Sequence, residues 1–98
     1  MEFPTAKTIL EQMGGVNKIK AMTGASNFGA DKNYVTFKFK GSRTANHVRI
    51  TLNSMDLYDI VFFKITKLKF KEVGQYTGIY NDQLKETFEK YTGLYLSF

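Results

Sequence analysis

The side chains of this chain that can do chemistry are cations and flat rings rather than nucleophiles. Between residues 32 and 71 stand Lys32, Lys38, Lys40, Arg43, Arg49, Lys64, Lys67, Lys69 and Lys71. Only two acids, Asp56 and Asp59, oppose them, which leaves a local excess of seven positive charges. Residues 1–31 sum to zero and residues 72–98 to −2, so the whole net charge of +5 originates in the middle of the chain. A field of this sign attracts phosphates, acidic protein surfaces or anionic lipid. The same lysines can equally keep exposed strands in solution and block edge pairing. Tyr34, Tyr58 and Phe62 fall among them, and cations beside rings are the two components a single-stranded nucleic acid needs. Charges neutralise its phosphates, and rings stack on its bases at about 1–3 kcal/mol each.

Other chemistry has little to work with. Zero cysteines remove disulfides, thiolate metal sites and a Cys nucleophile. His47, the single histidine, could act as acid or base with Asp56 or Asp59, but a strand-end histidine with no identifiable nucleophile is more simply a surface residue. Asp56 and Asp59, three apart, could hold a metal ion, although turn and strand-start roles explain them as well. No Gly-rich phosphate loop, G-x-S-x-G or HExxH occurs. The expectation is a non-enzymatic protein with no cofactor and no metal. No apolar run approaches the roughly 20 residues of a spanning helix, and Met1-Glu2-Phe3-Pro4 does not start a signal peptide. A soluble, cytoplasmic domain without membrane contact is expected.

The elements that position these groups follow from period. Thr5 can cap a helix over about 6–13, with Ile9, Leu10 and Met13 on one face and Gly14-Gly15 as its stop. A second helix spans about 16–23 and ends at Gly24. Together they could form a helix-turn-helix presenting Asn17, Lys18 and Lys20, but a hairpin that lids a sheet explains them better. Ala25–Asn33 reads as a loop whose Phe28 returns to the core. Alternation then marks strands at Tyr34–Lys40, His47–Asn53 and Leu57–Thr66, with Asn53-Ser54-Met55-Asp56 as a turn. The apolar parity flips at Thr66-Lys67, from odd Val61, Phe63 and Ile65 to even Leu68 and Phe70. A tight turn there makes a fourth strand. A final helix over about 82–92, capped by Asn81 or Asp82, carries Leu84, Phe88 and Tyr91, and Gly93 closes it. Leu94, Leu96 and Phe98 are expected to pack. The fold class is α+β, a single domain over 1–98: a four-stranded antiparallel meander with an N-terminal helical hairpin and a C-terminal helix, in the order ααββββα.

With Val35, Phe37, Phe39, Val48, Ile50, Leu52, Val61, Phe63, Ile65, Leu68 and Phe70 placed under the helices, the outer face would carry Lys38, Lys40, Arg49, Lys64, Lys67, Lys69 and Lys71, with Tyr34, Tyr58 and Phe62 as stacking rings. These ten form the candidate nucleic-acid site. Two competing readings use the same residues. Tyr58, Ile60 and Phe62 could be a second small core beneath the first two helices, or the apolar patch could seat a partner or a second copy in a homodimer.

Three stretches, Thr5–Gly15, Ala21–Ala25 and Val48–Asp59, together with Tyr91-Thr92-Gly93-Leu94-Tyr95, resemble a group of small uncharacterised proteins encoded by bacteriophages and prophages. The resemblance covers most of the chain and implies a phage accessory protein in the bacterial cytoplasm; it assigns no residue a role. The expected function is binding of single-stranded DNA or RNA. The alternative is a protein-binding inhibitor or adaptor aimed at a host protein complex, such as a defence system.

Overall fold

A computed structural model describes residues 4–94 and residue 96. The expectation for Phe98 therefore lies outside the described residues. The chain forms α1 (Pro4–Gln12), α2 (Val16–Thr23), β1 (Ser26–Ala30), β2 (Tyr34–Lys38), β3 (His47–Leu52), β4 (Tyr58–Ile65) and β5 (Phe70–Ile79). A short 3-10 turn (Asn81–Gln83) then leads into α3 (Leu84–Thr92). The protein is α+β, with five strands rather than four in one antiparallel meander, ordered β1-β2-β3-β4-β5.

The additional strand is β1. Ser26-Asn27-Phe28-Gly29-Ala30 has one large apolar residue and no alternation, so nothing local marks it as a strand. It forms because β2 offers an unpaired edge, and Gly29 and Ala30 pair with Thr36 and Val35. Asn27, at φ 54°, takes up a bulge between the two paired ends. Phe28 does turn inward, its ring 5.3 Å from that of Phe37.

Helix ends follow the expected punctuation with one change. Gly24 and Gly93 are left-handed and donate their N–H groups to Lys20 O and Glu89 O. Thr5 does not cap α1, because Pro4 already occupies the first helical turn, where its missing N–H costs nothing. Ahead of α3, neither Asn81 nor Asp82 is the residue before the first turn. Tyr80 is, and its N–H donates to Gln83 Oε1 at 3.4 Å.

All three helices cover the same face of the sheet. Ile9, Leu10, Met13, Ile19, Leu84 and Phe88 bury against Val35, Phe37, Phe39, Val48, Ile50, Ile60 and Phe62. Phe88 lies 5.1–6.1 Å from the rings of Phe37, Phe39 and Phe62. Full burial of each such side chain contributes about 1.5–3 kcal/mol, so this layer carries most of the fold's stability. Tyr91 stacks on Phe62 at 4.2 Å and its hydroxyl donates to Val73 O at 2.8 Å. Gly74 makes that possible, since a Cβ there would meet the Tyr91 ring at 2.5 Å. After α3 the chain stays docked: Leu96 is buried, and its N–H donates to a carboxylate oxygen of Glu89 at 2.7 Å.

Candidate functional site

The face assignment of β4 is the main correction. Tyr58 and Phe62, expected as outward stacking rings, are 5% and 0% exposed in the helix-covered core, together with Ile60. The reason is one residue of turn length. Asn53 N donates to Leu57 O at 2.8 Å and Leu52 faces Tyr58, so the connection is the three-residue loop Ser54-Met55-Asp56. Asp56, at φ 59°, supplies its left-handed position. A turn over Asn53–Asp56 would have set Leu52 opposite Leu57 instead. One residue of slip exchanges every side chain of a strand between faces. Val61, Phe63 and Ile65 therefore lie on the open face, where Phe63 is nonetheless 8% exposed. Arg49 covers it, its guanidinium carbon 5.6 Å from the ring, and Phe70 flanks it at 5.0 Å. The reading of a second small core under the helical hairpin fails for the same reason: there is one core, and Tyr58, Ile60 and Phe62 belong to it.

The cations do gather, but at an end of the sheet and not on one face. In a meander, alternate connections emerge at the same end. The β2–β3 and β4–β5 connections share one end, and the β1–β2 and β3–β4 turns share the other. The segments 38–47 and 64–71, which contain the first pair of connections, hold Lys38, Lys40, Arg43, Lys64, Lys67, Lys69 and Lys71 and no acid. Register fixes their places. Lys38 faces His47 on the open face, while Lys64 faces Lys71 across β4 and β5, on the opposite parity from Ile65 and Phe70. Neighbouring strands lie roughly 4.8 Å apart, so β2 to β5 is a span of about 14 Å. Of the ten expected site residues, Lys38, Lys40, Lys64, Lys67, Lys69 and Lys71 share this end. Arg49 sits further along β3, committed to Phe63. Tyr34 lies half-buried at the far end of β2, away from those six lysines.

Several residues that charge counting passes over build the end. Asn46, just before β3, extends the ladder with its side-chain amide: Nδ2 donates to Ile65 O at 2.7 Å, and Oδ1 accepts from Ile65 N at 2.8 Å. Its backbone N–H donates to Phe63 O. Ser42 Oγ and Thr44 Oγ1 donate to Thr92 O and Tyr91 O, carbonyls at the end of α3. These bonds pin the β2–β3 connection against the helix and leave Arg43 exposed on it. Lys64 Nζ donates to Arg43 O at 3.3 Å and ties the two connections together. The β4–β5 turn closes by Thr66 N to Lys69 O and Lys69 N to Thr66 Oγ1, so it needs no glycine. At its tip Leu68 is 94% and Phe70 70% exposed, against the expectation that both lie under the helices: Leu68 falls within the turn, and Phe70 shares the open face with Ile65. The signal for Asn46 was available only as an Asn beside a strand start, a pattern shared with ordinary turns.

His47 stands at the rim of this end, half-buried between Lys38 and Phe63 in the register. Burial and then the charge of Lys38 hold its imidazole below the ordinary 6.5. It lies at the opposite end of β3 from Asp56 and Asp59, so the acid–base grouping considered from sequence does not form. Asp59 instead accepts from Asn53 Nδ2 and Gly78 N. Among the described residues no three His, Asp or Glu side chains converge as metal ligands would. No described helix is long and apolar enough to cross a membrane.

Compared with known proteins, the chain matches no family model, no curated sequence and no solved structure. The reading of its function therefore rests on its own residues.

Proposed function

We propose that this chain is a non-enzymatic accessory protein, of the phage or prophage kind its sequence resembles, that binds single-stranded DNA or RNA in the host cytoplasm. The grip is on the phosphate backbone, through the basic end of the sheet. One observation carries this: two connections distant in sequence meet at one sheet end, and the segments 38–47 and 64–71 that form it hold seven cations and no acid, with Glu72 next along β5; Asn46, Ser42, Thr44 and Lys64 hold them in place. A polyanion is the ligand whose charge density such a cluster fits.

Titration of a labelled single strand against salt tests it. With about four phosphates neutralised, the log–log slope is about −3, or roughly fiftyfold weaker binding between 50 and 200 mM salt. Binding that ignores salt, or no binding at micromolar protein, would end the proposal.

A second reading, a protein-binding inhibitor or adaptor of a host complex, draws on a different observation. β5 is ten residues long and outermost, so the backbone groups on its free side are open to strand addition. Capture from nuclease-treated host lysate separates the two. Partners that survive the nuclease favour strand addition, and partners that vanish favour nucleic acid.

A further inference from the structure

Leu68 and Phe70 stand at the tip of the β4–β5 hairpin, 94% and 70% exposed; Phe70 meets the buried part of the fold through the Phe63 ring, and among the described residues no element covers either. Burying either would contribute about 1.5–3 kcal/mol, which the native fold forgoes. Yet the tip is stiff. The Thr66–Lys69 bonds close the turn, Asn46 grips both backbone groups of Ile65, and the Phe70 ring rests 5.0 Å from Phe63, itself held under Arg49. The order Lys67-Leu68-Lys69-Phe70-Lys71 sets each apolar residue between two cations. A nucleic acid strand presents the complementary alternation, one flat apolar base for each phosphate. Apolar side chains placed this way enter base steps and unstack them, and rings receive the freed base.

Resting on the nucleic-acid reading above, we infer that the β4–β5 tip is a stacking wedge. Phe70 takes the face of an unpaired base and Leu68 fills the step beside it, while the lysines hold the adjoining phosphates. The ligand class is then nucleic acid with unpaired bases, and continuous duplex is disfavoured because its bases are already stacked. An anionic bilayer is the weaker fit. The cations run from the tip back through Lys64 to the β2–β3 connection, where Lys64 Nζ meets Arg43 O, a track along the sheet end and not a ring around the apolar pair. A strand can follow a track, whereas a flat surface meets only the tip.

The test compares the intact protein with Phe70→Ser and Leu68→Ser, each shown by circular dichroism to remain folded. Three probes are used: a labelled single strand, a continuous duplex of equal phosphate number, and vesicles of phosphatidylcholine and phosphatidylserine. The intact protein is expected to favour the single strand about tenfold. Either substitution should collapse that ratio towards one while the salt slope stays the same, because no phosphate contact is lost. A ratio near one in the intact protein, or an unchanged ratio in both variants, would overturn the wedge and leave backbone binding standing. Absence of binding to both oligonucleotides would overturn the nucleic-acid reading as well, with vesicle capture then marking the tip as a membrane contact.

Discussion

An asparagine stands at each end of β3, and the two build opposite kinds of surface. Asn53 folds the β3–β4 turn onto itself: its Oδ1 accepts from Met55 N and Leu57 N, and its Nδ2 donates to Asp59. Around it the acids are spent on structure. Asp59 also accepts from Gly78 N, Asp56 takes the left-handed position, and Asp31 accepts from Lys32 N in the neighbouring turn. Asn46 instead reaches sideways to β4 and holds a connection open. There the cationic side chains do little for the fold: among the described residues, only the Lys64 ammonium donates to a backbone carbonyl. Hydrogen bonds from neutral N–H groups orient Asp31 and Asp59 without removing their charge, so the two ends differ in the sign of the field each offers a partner.

Replacing three tip cations should break this asymmetry most severely. With Lys67→Glu, Lys69→Glu and Lys71→Glu together, single-strand affinity is expected to fall at least about a hundredfold at low salt. The salt slope should become shallower by about 2, and thermal stability should barely change. Fluorescence anisotropy over a salt series reads both binding quantities.

Asn46→Ala comes next. It strips partners from both backbone groups of Ile65 and should cost about 1–3 kcal/mol in urea unfolding. It should also weaken binding, by freeing the two basic connections from each other. If binding survives that loss intact, the end is not a single site.

At the other end, Asp56→Val forces a β-branched residue into a left-handed position, at a cost of about 1–2 kcal/mol. Binding per folded molecule should be unchanged. An affinity loss comparable to that of the tip variant would erase the distinction between the ends.

His47 gives the smallest effect and divides stability from binding. Its folded-state pKa lies below the unfolded 6.5, so the stability it contributes is complete above that pH. That contribution is lost as pH falls through the folded value, because the unfolded chain then holds more protons. Melting temperatures between pH 5 and 8 should show a slope that His47→Gln flattens. Over the same interval binding should strengthen, since the imidazolium adds a cation beside Lys38.

Much of the scaffold is legible without coordinates. The 3.6-residue spacing of Ile9, Leu10 and Met13, and of Leu84, Phe88 and Tyr91, marks helices whose apolar stripes must be covered. Alternation in Val35, Phe37, Phe39 and in Val48, Ile50, Leu52 marks half-buried strands and gets their inward faces right. The parity break at Thr66 correctly demands a hairpin, because Ile65 and Phe70 do share a face. β4 is where the inference fails. Tyr58, Ile60, Phe62 and Val61, Phe63, Ile65 are equally apolar, so hydrophobicity is silent about which set faces the helices. Only the loop length before the strand decides, and that rests on the backbone of Asp56.

The chain alone settles the chemistry on offer and the periods of its elements, since both are local properties of residue type and spacing. It settles that the excess of positive charge lies in residues 32–71 and that the sequence holds no thiol. Where those charges meet is a long-range matter. Two connections some twenty residues apart become neighbours because the meander returns them to one end, and the rings expected beside them vanish into the core because one extra turn residue exchanges the faces of β4. Pairing register and loop closure are cooperative properties of the whole sheet, and no window of sequence contains them.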